Sequence, residues 1–128
     1  MPGPDFRLLA RQIFACHGKI RSVTFSSIVG QFLHFEMRPG VESLNPSGEI
    51  ERMESEVVVP TLSDYFERYK RYLGNVSYMG AKFEKVSMLY MKHRNIFVIV
   101  SVEPGMSMTK IVPLVRKVLD NVPEKNSK

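Results

Sequence analysis

The 128-residue chain has one cysteine, Cys16, and no tryptophan. A single thiol forms no intrachain disulfide, so a reducing, cytoplasmic setting is expected. No run of 18 or more apolar residues occurs, and no helix is expected to span a bilayer. The amino terminus, Met-Pro-Gly-Pro-Asp, lacks the basic and long apolar stretches of a secretory signal. Phosphate-cradling loops are missing too. Gly74 and Gly80 are isolated, and neither GxGxxG nor GxxxxGK[ST] is present. The three histidines, His17, His34 and His93, show no metal-ligand spacing. Cys16 and His17 are neighbours, but adjacent helical residues point about 100° apart, so they make no nucleophile–base pair. Cys16 reads as a small buried apolar residue. These gaps exclude the common enzyme signatures, and no cofactor, no metal and no reaction is expected.

Positive charge is present, though scattered. The net charge is +5 and the pI is near 9.5, a mild pull toward acidic partners. The basic groups that could meet an anionic partner are Arg68, Lys70 and Arg71, then Lys92 and Arg94. At this length, one domain over 1–122 is expected, followed by a disordered polar tail at 123–128. Hydrophobic content of 44% and charged content of 24% are those of an ordinary globular core.

Periodicity supplies the rest. Asp5 is placed to cap a helix whose apolar face is Phe6, Leu9, Ala10, Ile13 and Phe14, with Gly18 as its stop. Alternation over 20–29 and 32–37, across Gly30-Gln31, predicts a β-hairpin. Residues 38–48 hold two prolines and two glycines and read as a long loop. Leu62, Tyr65, Phe66, Tyr69, Tyr72 and Leu73 fall on one helical stripe, extended backwards by Val58 and Met53. Pro60 interrupts the extension. The favoured reading is one helix from about Ile50, bent at Pro60 and ended at Gly74-Asn75. Strands are expected at 76–84, 86–92 and 96–102. The last, IFVIVSV, is apolar on both sides and belongs in the middle of a sheet. Ser107 opens a closing helix that contains Pro113, where a kink or a late start is expected.

The resulting order is α-β-β-α-β-β-β-α, an α+β class with a five-stranded antiparallel sheet flanked by helices. It resembles the roadblock/LC7 domains of the profilin-like fold class, with longin domains as close cousins. The likeness rests on the hairpin 20–37, the central helix ending at Gly74, the strands 76–102 and the helix after EPGMS, about nine-tenths of the chain. The stretch VSVEPGMSMTKIVPLVRKVL is also similar to the closing strand–helix unit of small uncharacterised archaeal proteins. The resemblance implies a non-enzymatic regulatory domain that forms a homodimer through its central helix and adjacent strand. It also implies a platform role for a small GTPase or another signalling partner. The interaction surface would then be Leu62, Tyr65, Phe66, Tyr69, Tyr72 and Leu73.

Two alternatives stand beside it. One is a PAS- or GAF-like sensor with a ligand cavity lined by Phe25, Phe35, Met88 and Tyr90. The other is nucleic-acid binding through the basic–aromatic helix, using Arg68, Lys70, Arg71, Lys92 and Arg94.

Overall fold

A computed structural model describes residues 4–44 and 48–122. The elements are α1 (Phe6–Cys16), β1 (Ile20–Ser27), β2 (Phe32–Met37), α2 (Glu49–Met53), a π-helical turn (Glu54–Val58), α3 (Val59–Leu73), β3 (Met79–Lys82), β4 (Ser87–His93), β5 (Ile96–Val102) and α4 (Met108–Asp120). All five strands join one antiparallel sheet in the order β2-β1-β5-β4-β3. The doubly apolar strand β5 lies in its centre, as its composition requires.

Side-chain alternation sends each strand to two cores. Val23, Phe25, Val98, Val100, Leu89 and Met91 pack with α1 and α4 on one face. Phe97, Ile99 and Tyr90 pack with Val59 and Phe66 of α3 on the other. The central-helix face carries a continuous cross-strand row, Phe35–Thr24–Ile99–Tyr90–Met79. This parity overturns the proposed ligand cavity. Phe25 lies on the α1/α4 face, whereas Phe35, Met88 and Tyr90 lie on the opposite one. A sheet separates them, so the four cannot line one space.

Several local expectations change. Asp5 caps α1 as predicted, accepting from the Leu8 amide at 3.2 Å. The helix stops differently: His17, with extended backbone, is the C-cap, and Gly18 does not adopt a left-handed conformation. Arg38 supplies the missing donors to the Phe14 and His17 carbonyls. Strand β3 covers four residues rather than the expected 76–84. Helix α4 starts at Met108 and runs through the exposed Pro113, so the late start is corrected. The proposed tail, 123–128, lies outside the described residues, as does part of the long loop, 45–47.

The central helix is continuous over 49–73, and Pro60 is accommodated by widening the helix rather than interrupting it. The Val59 amide donates to the Glu54 carbonyl, five residues back. This π-helical turn lies directly before Pro60, where an α-helix would press the proline ring against the preceding turn. The hairpin turn fits into the same place. Gly30 has φ +92°, and a Cβ there would come within 2.8 Å of both Pro60 Cγ and the Ser55 carbonyl oxygen. Gly30→Ala meets backbone strain and a clash together, and is expected to lose about 2 kcal/mol. Chemical denaturation checks this; an unchanged midpoint would show that the turn does not hold the helix.

Candidate functional site

An extra residue in a helix rotates everything after it by about 100°. The predicted aromatic stripe, which lies wholly after the π-helical turn, divides between two faces, and the turn sets which residues before it line up with each. Phe66 is 6% exposed and stacks on Phe97 at 5.8 Å. Leu62 is half-buried in the same cluster. Tyr65, Tyr69, Tyr72 and Leu73 point outward, with exposures of 45%, 47%, 75% and 77%. Tyr65 and Tyr69 meet edge-to-face, with centroids 4.9 Å apart. Ile50, Met53 and Val57 are exposed further up the same helix. The central helix thus has an inner apolar face that holds the sheet and an outer one that meets solvent. Phe66 belongs to the core and is not part of the outer face. Ile50 and Val57 were missed in the sequence because they are in phase with the outer face only once the π-helical turn is known.

Beneath the helix lies a polar seam. Thr24, Ser26, Glu54, Ser55 and Ser101 are buried, and the hydroxyls of Ser22 and Ser101 are hydrogen-bonded across β1 and β5. The Ser55 hydroxyl has no hydrogen-bond partner among the described residues. The Tyr90 hydroxyl donates to Glu54 Oε1 at 2.6 Å. Burial raises the Glu54 carboxyl above its ordinary range; the Tyr90 hydrogen bond opposes the shift, and Glu51 adds to it. Burial also raises the Tyr90 phenol, reinforced by Glu54.

The sign of the pH effect follows from the raised carboxyl. Below pH 4.5, folded and unfolded chains both hold the Glu54 proton. Above that, the unfolded chain releases it first, so stability falls until the folded group has also ionised. Glu54→Gln keeps an acceptor for Tyr90 and removes the ionisation. Its stability relative to the native chain should therefore rise with pH across that window. Tyr90→Phe leaves the carboxylate buried without that donor and should lose about 2 kcal/mol at pH 7. Denaturation midpoints from pH 4 to pH 8 test both. Parallel curves for Glu54→Gln and the native chain would rule the mechanism out.

The five basic residues separate into two groups. On α3, Arg68 pairs with Asp64 at 2.8 Å, and Arg71 lies over the Tyr72 ring at 5.4 Å. Lys70, Lys92 and Arg94 instead line a cleft of about 230 Å³ between α3 and the β4–β5 turn. Glu67 lies in the same cleft, 3.6 Å from Lys92 Nζ. No single basic–aromatic strip combines all five. Among the described residues, no three His, Cys, Asp or Glu side chains are grouped to hold a metal, and no helix is long and apolar enough to cross a membrane.

The backbone has clear counterparts among solved structures. Myxococcus xanthus MglB is similar with a TM-score of 0.69 at 10% identity, over 94% of this chain and 88% of that one. A structure described as MglB with tetrameric arrangement gives 0.73 at 9% identity, with the same coverage of 94% and 88%. A Roadblock/LC7 domain from Streptomyces avermitilis gives 0.62 at 7% identity, over 88% and 90%. This is the roadblock/LC7 fold. No protein-family model matches the sequence, and no curated protein matches it. At 7–10% identity the roadblock likeness is one of backbone, and it assigns no role to individual side chains. None of the three structures bears on the archaeal likeness of the closing strand–helix unit.

Proposed function

We propose that this roadblock-fold chain is a non-enzymatic, cytoplasmic interaction domain that pairs with a second copy through the outer face of its central helix. The observation that carries this reading is the second apolar face: Ile50, Met53, Val57, Tyr65, Tyr69, Tyr72 and Leu73 are exposed on a helix whose other face is already packed. A helix needs one apolar face to hold its own sheet; a second calls for another surface. Tyrosine suits such a role, because its ring packs while its hydroxyl stays hydrated.

Area supports a pairing that uses more than the helix. At 1.5 Å per residue, a strip over 49–73 is roughly 37 Å long and ~10 Å wide, on the order of 400 Å². A standard interface covers ~800 Å² on each partner. Exposed Tyr78 and Phe83, flanking the edge strand β3, add apolar area beyond the helix. One of the similar structures, MglB with tetrameric arrangement, is itself multimeric. The paired domain would then serve as a regulatory platform, with a small GTPase or another signalling protein as the partner class implied by the family resemblance.

Light scattering over a concentration series tests the pairing. The expected particle has twice the 14.7 kDa chain mass. A chain that remains monomeric at several hundred micromolar would overturn the proposal.

A further inference from the structure

The cleft behind α3 has a composition that the pairing surface does not explain. Lys70, Lys92 and Arg94 surround it against one carboxylate, Glu67, so its formal charge is +2. The carboxyl end of α3 contributes roughly half a negative charge through its dipole, which leaves the cleft clearly positive. Its remaining walls include the apolar side chains of Phe66 and Val76. At about 30 Å³ per water, the space holds roughly eight waters, more than a lone inorganic ion requires.

A second observation falls on the same residues. Arg94 is the one non-glycine among the described residues in the left-handed region, with φ 56°. At this position of a β-hairpin turn, glycine or asparagine adopts the backbone with less strain. The strained residue is a cation at the cleft, and one of its nitrogens, Nη2, donates to the Val122 carbonyl at 3.2 Å. Strain held at such a position commonly accompanies a binding role. Lys92 is fixed from the other side, since its carbonyl accepts from Arg116 Nη1 at 3.3 Å.

We propose that this cleft binds a small organic phosphomonoester, with its dianionic phosphate among Lys70, Lys92 and Arg94 and its apolar portion against Phe66 and Val76. Two charges on the ligand match the formal side-chain charge of the site, and an apolar substituent uses the wall that inorganic phosphate would leave uncovered. This site is separate from the self-association face and does not depend on it.

The probe is phenyl phosphate, titrated into the ¹⁵N-labelled full chain and followed by amide shifts. Inorganic phosphate, phenol and sodium chloride at matched ionic strength are the comparisons. The expected result is saturable shifts centred on Lys70, Asn75, Val76 and Arg94, with phenyl phosphate binding at least several-fold tighter than either fragment. Lys70→Gln and Arg94→Gly should each weaken binding by about tenfold. Arg94→Gly also relieves the left-handed backbone, so its melting temperature should hold or rise while affinity falls, which separates a binding effect from a folding defect. Unchanged affinity in both variants would overturn the proposal. So would phenol binding as tightly as phenyl phosphate, an absence of saturable binding, or shifts that chloride reproduces.

Discussion

Replacing Arg38 with alanine is expected to lower the melting temperature of the chain by about 10 °C, the largest effect of any single polar substitution in the fold. Arg38 Nε donates to the Ile20 carbonyl at 2.7 Å, and Nη2 donates to the Phe14 and His17 carbonyls at 2.6 Å each. The guanidinium also lies over the Phe14 ring at 5.2 Å. Helix α1 ends without the left-handed glycine that would satisfy its last carbonyls, so Arg38 acts as a C-cap from the far end of the hairpin. Hydrogen bonds to a charged donor each contribute about 1.5–3 kcal/mol, and losing three strands the carbonyls only partly because water can reach some of them. A net loss near 3 kcal/mol follows, equivalent to about 10 °C in a domain of this size. Lysine cannot span three carbonyls from one point charge, so Arg38→Lys should recover less than half. Calorimetry decides this, with Arg21→Ala as the comparison. Arg21 bonds one carbonyl and one carboxylate, two partners rather than three and neither of them a helix-end carbonyl, and its loss should be clearly smaller. Equal shifts for the two variants would remove the capping role.

Arg38 also marks where sequence reading stops. The element order was legible because each element carries its own period. Phe32–Met37 and Ile96–Val102 were placed to the residue, since alternation or unbroken apolarity ends at charged or turn residues on both sides. Asp5 was legible because an N-cap and its helix are adjacent in the chain. The C-cap of α1 was not, because its donor lies 21–24 residues away. Gly18 offered a local solution that the backbone does not use.

The central helix shows a subtler limit. Pro60 was correctly recognised as a disturbance within one long helix. A proline says that the hydrogen-bond ladder must change, but not that the change will add a residue to a turn. That choice depends on the hairpin, where Gly30 lies against Pro60 and Ser55. Leu62, Phe66 and the tyrosines all follow the turn and form one broad arc whose inner edge packs on the sheet; the turn brings Ile50, Met53 and Val57 into line with its outer edge. Glu54 was hidden for a related reason. A glutamate in an amphipathic pattern reads as solvated, and only the register that places Tyr90 below it reveals a buried acid. Likewise, Lys70, Lys92 and Arg94 appear dispersed until the β4–β5 turn folds back beside α3.

A charge placed on the outer helical face should abolish self-association while leaving the monomer folded. In a two-fold pairing, every substitution occurs twice and each residue near the axis faces its own copy or a close neighbour. Val57→Glu and Tyr69→Glu therefore each introduce two desolvated carboxylates, beside a helix that already carries Glu56, Asp64 and Glu67. Either substitution should weaken the dimer by at least ~100-fold, about 2.7 kcal/mol. The effect on folding should be small, because Val57 and Tyr69 are already exposed in the single chain. Leu8→Glu is the matched control. Leu8 is an equally exposed apolar residue on α1, across the sheet from the central helix, and its substitution should leave the dimer intact. Sedimentation equilibrium reads the association, and circular dichroism melts at a fixed low concentration read the fold. Dimers that survive both outer-face charges would exclude this face. Dimers lost only with Leu8→Glu would move the interface to the α1/α4 side of the sheet. If Val57→Glu alone dissociates the dimer, the two-fold axis lies near the π-helical turn. The widened turn would then have a second consequence, because it sets the angle at which two helices present their outer faces to each other.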